Sequence, residues 1–220
     1  MVQAESNPFF GKYNTPFETT PFDKIKTEHY EPAFQRGIDE LKKDIDNITN
    51  NPKPATFENT IVALERSGKL LNRVSGAFFN VLSANANDEM MEISQRVSPS
   101  LTESSNYIYL NEKLFNRVKA VYDQRASLNL NTEDAKLLEE TFRSFQEKGA
   151  NLNSADKEKY KELTKELSLL TLQFDQNSLK DQNRFEMLLT DQKEVAGLPE
   201  SALDAAKFAA KEKCKEGWLF

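Results

Sequence analysis

The amino-acid sequence predicts a mainly α-helical fold. Chain breakers are scarce, with seven glycines and eight prolines in 220 residues, while residues that favour helices, such as Leu, Ala, Lys and Glu, recur throughout. Apolar residues repeat every three or four positions over most of the chain, which is the spacing that places them on one face of a helix. The prediction is a multi-helix region with two short strands near its end.

The composition is that of a globular protein with a sizeable core. Hydrophobic residues make up 38% of the chain and charged residues 29%, and the formal net charge is -6. Acidic and basic residues are interleaved along the predicted helices, so no basic stripe is available to bind a phosphate backbone, which argues against nucleic acid as a partner. The lone cysteine, Cys214, excludes an internal disulfide and is expected to be a small buried residue.

The opening segment and the hydropathy of the sequence indicate in which cellular compartment the protein is expected. The opening segment lacks a basic region followed by an apolar one, and no stretch is apolar enough to span a membrane. We therefore expect no membrane partner. The protein is expected in the cytoplasm, or in the periplasm if a leader was removed.

Residues 1–30 are predicted to form an extended arm that packs on the helices. Pro8, Pro16 and Pro21 interrupt regular structure there. Aromatic residues are dense, and a large apolar side chain gains about 1.5 to 3 kcal/mol when it is fully buried. The rings expected to anchor the arm are Phe9, Phe10, Tyr13, Phe17 and Phe22.

The first helix is predicted to start at Pro32, because proline is well tolerated in a first helical turn. Its apolar residues share one face. They are Phe34, Ile38, Leu41, Ile45 and Ile48. Residues 50–54 end this helix.

Thr56 is placed to cap a second helix, predicted as one element from Phe57 to Leu82 with a seven-residue apolar period. Gly68 and Ser75 lie on its apolar seam and leave room for a close neighbouring helix.

Three further helices follow the turn at 84–88. One carries Met90 to Val97, and Pro99 is expected to kink it or restart it. The next begins after Asn111, a candidate cap, and another opens at Thr132, which is followed by two acidic residues.

Ser154 opens the clearest helix of the sequence. Its apolar residues step by three and four, and a charged face opposite them is expected to face water. The apolar residues are Tyr160, Leu163, Leu167, Leu170 and Phe174. After Asn183 the period changes to two, which predicts one strand within 184–190.

An alanine-rich helix is predicted at about 199–214, ended by Gly217. Three large apolar residues then start another strand at 217–220, which suggests that the chain is cut there. The sequence is thus divided into an arm (1–30), a helical domain (31–183) and a truncated strand–helix segment (184–220).

No catalytic, cofactor-binding or metal-binding residue can be assigned from the sequence. His29 is the single histidine, so a His-Glu-x-x-His zinc helix cannot be formed within the chain, and His29 is expected to cap or pack rather than to catalyse. The carboxylates Glu158, Glu162 and Glu166 alternate with lysines, which favours a solvated helix face over a metal site.

Several segments, spread over about 190 residues, resemble the zinc peptidyl-dipeptidases (dipeptidyl carboxypeptidases) of the thimet oligopeptidase family. They also resemble that branch more than the endopeptidase branch. The segments, in order, are 7–10, 13–17, 21–34, Thr56 to Glu65, Ser83 to Glu89, 108–111, 149–152, 174–177 and 196–201.

The resemblance implies a fold and an activity for a longer parent protein. It implies the amino-terminal helical part of an enzyme that releases dipeptides from the carboxyl end of short peptides, in a channel between two mostly helical halves. Zinc and the catalytic residues would belong to the carboxyl-terminal half, which would be the partner of this chain within the same polypeptide. The chain alone should be inactive, with one face left bare where the second half would sit.

Two other readings stay open from the sequence. The chain could be a non-catalytic helical module that binds peptides or proteins with a peptidase-like fold. It could also be a helical scaffold unrelated to peptidases, because periodicity by itself does not specify a function.

Overall fold

The computed structural model describes residues 7–85 and 87–220, apart from the side chain of Asn183. Within this part the chain is mainly α-helical, which confirms the predicted fold class. It divides into one compact unit that ends at Leu170 and a second formed by Thr171–Phe220. The predicted division into arm, helical domain and strand–helix segment stays a prediction.

Eight α-helices are described, separated by short turns. They are α1 (Tyr30–Thr49), α2 (Ala63–Glu65), α3 (Lys69–Asn85), α4 (Asp88–Tyr109), α5 (Glu112–Asp123), α6 (Thr132–Glu147), α7 (Ser154–Arg184) and α8 (Glu200–Glu212). None of the helices formed by the described residues is both long and apolar enough to cross a membrane.

Helix α1 confirms the predicted apolar face. Its start lies two residues before Pro32, because a 3-10 turn at Thr27–His29 leads directly into it. Pro32 stays within the first turn, where its missing N–H has no helical acceptor. The five predicted apolar residues are all buried: Phe34, Ile38, Leu41, Ile45 and Ile48.

The predicted single helix from Phe57 to Leu82 is wrong. The chain forms a π-helical segment at Phe57–Val62, the short α2 and then α3. Gly68 causes the break. Its φ of 63° lies in the left-handed region, in which a right-handed α-helix cannot continue. Its N–H donates to Asp44 Oδ2 (3.1 Å), and it packs against Leu41 of α1.

Helices α1 and α3 cross closely at Gly37. A Cβ on Gly37 would lie 2.9 Å from both the Cα and the N of Leu71. This approach brings aromatic rings of the two helices together, with Phe34 and Phe78 edge to face at 5.3 Å and Tyr30 and Phe78 at 4.9 Å. The core therefore depends on a residue without a side chain at this position.

Helix α4 runs through Pro99 without a restart, so the predicted restart is wrong. Proline removes one backbone donor, but residues on both sides of it, Val97 and Ser104, are buried in the core and hold the helix in place. The start of α4 agrees with the predicted turn, because Asn87 Oδ1 accepts from Met90 N (2.8 Å). Ala86, within that turn, lies outside the described residues.

Helices α5 and α6 confirm their predicted starts. Asn111 caps α5 by accepting from Leu114 N (3.0 Å), and α6 begins at Thr132, capped by the preceding Asn131. Stacked rings join the two helices, with Phe115 and Phe145 at 5.9 Å.

Part of the arm packs as predicted. Phe9 is fully buried, and Arg73 donates to the carbonyls of Phe9 (3.2 Å) and Gly11 (3.1 Å). The expectation is wrong for Phe17 and Phe22, whose side chains are exposed at 99% and 54%. Residues 1–6 of the predicted arm lie outside the described residues.

The second unit contains the predicted strand pair. The strands β1 (Leu188–Leu189) and β2 (Trp218–Leu219) are antiparallel, and Leu188 pairs with Leu219 and Leu189 with Trp218. Both short strands were predicted, and both are confirmed.

Helix α8 ends at Glu212, so the prediction that Gly217 ends it is wrong. Cys214 takes a left-handed φ of 53°, and Lys215 N donates to Ala210 O (2.9 Å), which closes the helix earlier. Cys214 is exposed, so its predicted burial is also wrong. Gly217 instead passes close to the backbone of Leu189.

The contact at Gly37 predicts a large difference between two glycine substitutions. Gly37→Ala forces a methyl group into the backbone of Leu71, and we expect it to lower the free energy of unfolding by about 1 to 3 kcal/mol. Gly76→Ala, within α3, has open space around the new Cβ and should raise it by about 0.5 to 1 kcal/mol. Urea unfolding measures the free energy of unfolding of both variants. Equal changes in the two variants would contradict the close crossing of α1 and α3.

Candidate functional site

His29 has the capping role that the sequence predicts. Its Nδ1 accepts from the backbone N–H of Lys26 (3.0 Å), and its backbone carbonyl accepts from Asn7 Nδ2 (2.8 Å). The side chain therefore caps the 3-10 turn at Thr27–His29, and the backbone carbonyl joins this turn to Asn7 of the arm. This engagement leaves only Nε2, which lies 4.0 Å from Glu28 Oε1 at the surface.

The acidic residues that could suggest a metal site belong to solvated helix faces. Glu158 pairs with Lys161 (2.7 Å), and Glu92 pairs with Arg96 (3.7 Å). Within residues 7–85 and 87–220, no group of three or more His, Cys, Asp or Glu side chains could hold a metal ion. The described residues therefore do not fit the zinc ion that the resemblance implies.

A groove of about 690 Å³ lies in the first unit between α4 and α7. Its lining is part polar and part apolar, and Asn106 on α4 donates to Thr164 Oγ1 on α7 (3.0 Å). The basic residues of the groove, Lys161 and Lys165, come from α7. Asn106 and Thr164 thus form a polar contact between α4 and α7.

The floor of this groove is braced by α1. Tyr107 donates a hydrogen bond to Asp46, and this bond raises the pKa of the Tyr107 hydroxyl above its usual value. Lys42 pairs with Glu103 (3.3 Å) and lies 5.7 Å from the centre of the Tyr107 ring. Tyr107 and Asp46, and Lys42 and Glu103, thus pair with each other beside the groove.

The most unusual surface of the first unit is an apolar row on α7. We call Leu163, Leu167 and Leu170 the α7 stripe. Their exposed fractions are 55%, 62% and 53%. The spacing of four and three residues places them side by side on one face. Sequence periodicity identifies this face, and the structure leaves these three leucines more than half exposed.

The inner side of α7 is different in character. Lys157, Tyr160, Thr164 and Ser168 are half-buried, while the leucines of the α7 stripe are exposed. A helix that rests only on the bundle would bury its leucines and expose its threonine and serine.

In the second unit, an ionic contact joins the segment before β1 to the segment after α8. Lys213 and Lys215 both donate to the Glu186 carboxylate. These two hydrogen bonds, that of Lys213 first, lower the pKa of Glu186 from its ordinary value of 4.5 to about 2. While this contact is formed, the Glu186 carboxyl is therefore ionised at pH values well above 2.

This contact predicts how pH acts on the second unit. Because the folded pKa of Glu186 is lowered, its contribution to stability is complete above the ordinary carboxyl pKa and is lost as the pH falls through about 2. We expect Glu186→Gln to destabilise the unit at pH 7 and to make no difference below pH 2.

NMR titration of the Glu186 carboxyl carbon gives the direct measurement. In the double variant K213M/K215M, the titration midpoint of Glu186 should return towards the ordinary carboxyl pKa of 4.5. A midpoint near 4.5 in the unmodified chain would contradict the contact.

Curated proteins similar to this chain are peptidases. Dipeptidyl carboxypeptidase of Escherichia coli (strain K12) is 40% identical over 214 residues, which cover 97% of this chain and 31% of that protein. The enzyme of the same name from Salmonella typhimurium is 38% identical over 97% of this chain and 32% of its own length. No family model matches the chain.

A second group of relatives carries another name. Oligopeptidase A of Escherichia coli (strain K12) is 31% identical over 205 residues, which cover 93% of this chain and 30% of that protein. This chain thus spans about a third of the length of the curated relatives that it matches. It is a sequence relative of the dipeptidyl carboxypeptidases and oligopeptidases A, peptidases of the thimet oligopeptidase family.

Proposed function

We propose that this chain is the amino-terminal helical portion of a zinc-dependent peptidyl-dipeptidase, which releases dipeptides from the carboxyl end of short peptides. The observation that carries the proposal is the 40% identity to a dipeptidyl carboxypeptidase over 97% of the chain. Identity to proteins named oligopeptidase A is lower, at 31%. The difference supports the dipeptide-releasing branch.

In this proposal, zinc and the catalytic groups belong to the rest of the parent polypeptide. The relatives are about three times as long as the region that they share with this chain. The described residues contain no side-chain set that fits zinc, and their one histidine is engaged in capping. The chain would supply one wall of the peptide channel and no catalytic residue.

The proposal predicts activity for the longer polypeptide and none for the 220-residue chain. The native gene is sequenced past the codon for Phe220, and the uninterrupted polypeptide is expressed beside the 220-residue chain. Both are incubated with a blocked tetrapeptide, and release of the carboxyl-terminal dipeptide is followed by mass spectrometry. We expect release by the longer polypeptide alone, its loss with a chelator and its recovery with added zinc.

Two results would overturn this proposal. The first is a gene that ends at Phe220, which would make a peptide-binding module without hydrolysis the better explanation. The second is cleavage of the blocked tetrapeptide by the purified 220-residue chain, because the described residues contain no group suited to it. If single amino acids were released instead of dipeptides, the protein would still be a peptidase, but its assignment as a peptidyl-dipeptidase would be rejected.

A further inference from the structure

The α7 stripe is a surface that the described residues leave without a partner. Leu163, Leu167 and Leu170 are each more than half exposed, although the same helix buries part of Thr164 and Ser168. The largest exposed apolar patch of a protein is often a functional surface. The inner contact of α7 is meanwhile made by a polar pair, Asn106 and Thr164.

We propose that the α7 stripe is the docking surface for the remaining two thirds of the parent polypeptide, an inference that rests on the proposed function. Helix α7 would then be sandwiched between two layers. Its polar side would lie on α4, and its leucines would lie in the interface with the rest of the polypeptide. In the whole protein, the α7 stripe would be buried in an interface rather than exposed to solvent.

The size of the stripe favours a covalently continuous partner over a second copy of the chain. Three leucines over seven residues span about 10 Å of helix and offer on the order of a few hundred Å² of apolar surface. A stable interface between separate molecules buries about 1,200 to 2,000 Å². A segment of the same polypeptide needs less area, because its effective concentration is high.

The charges around the stripe favour protein over a membrane surface. Lys159, Glu162 and Glu166 lie on the exposed flank of α7, so both signs occur beside the leucines. A mixed polar rim around an apolar centre is the usual anatomy of a protein interface. Helices that bind membrane surfaces carry mainly Lys and Arg on their polar face.

The reactivity of an introduced thiol tests the proposal. Leu167→Cys places a thiol in the stripe, and Glu158→Cys is the matched control, because nine residues at about 3.6 per turn put it on the opposite face of the same helix. Each substitution is made with Cys214→Ser, in the 220-residue chain and in the uninterrupted polypeptide. Labelling by N-ethylmaleimide at each position is followed by peptide mass spectrometry.

We expect Leu167→Cys to react about tenfold or more slowly in the uninterrupted polypeptide than in the 220-residue chain, because reaction would need local opening of the interface. Glu158→Cys should react at the same rate in both. Circular dichroism confirms that each variant keeps its helices. Leu163→Cys provides a second site in the stripe and should behave like Leu167→Cys.

Two results would overturn the proposal, and a third would reject only the proposed function. Equal reactivity of Leu167→Cys in both proteins, with dipeptide release intact, would reject the interface and keep the peptidase. Slow labelling in the 220-residue chain that becomes fast on dilution would assign the stripe to a second copy. A protected Leu167→Cys in a longer polypeptide without peptidase activity would keep the interface and reject the function.

Discussion

The close crossing of α1 and α3 at Gly37 sets the arrangement of the first unit. With no side chain at Gly37, the Leu71 backbone approaches α1 closely enough for Phe34, Tyr30 and Phe78 to meet edge to face. The arm depends on the same contact. The ring of Phe9 packs on Tyr30 of α1, and Arg73 of α3 donates a hydrogen bond to the Phe9 carbonyl. Loss of this crossing would therefore affect the core and the arm together.

Helix α7 is attached by a different kind of interaction. Where α1 and α3 share buried aromatic rings, α7 meets α4 through hydroxyl and amide groups, and its leucines remain exposed. Polar contacts fix orientation but contribute little net stability, about 0.5 to 1.5 kcal/mol for each hydrogen bond. The structure thus joins a well-packed core to a helix whose leucines at positions 163, 167 and 170 are exposed.

Much of the fold could be predicted from local signals in the sequence. The apolar face of α1, the Asn111 cap and the positions of the two short strands all follow from spacing and residue type, whereas the pairing of the strands does not. The break at Gly68 was missed because the seven-residue period continues through it, and periodicity does not report the sign of φ. Cys214 was misplaced because its exposure depends on a left-handed helix end normally occupied by glycine.

The candidate site shows the same limit of sequence reasoning. The leucines of α7 were recognised as one face, but spacing does not reveal which neighbour covers a face, and here the bundle contacts another side of the helix. The assignment to a peptidase rests instead on the order of short motifs along the chain and on the relatives that share them.

Amide hydrogen exchange, measured on the 220-residue chain and on the uninterrupted polypeptide, tests the central claim most directly. If the chain is part of a larger peptidase that covers α7, amides at 163–170 will exchange more slowly in the longer polypeptide, while those at the α1 and α3 crossing will be equally slow in both. Identical exchange at 163–170 in the two proteins would contradict the account.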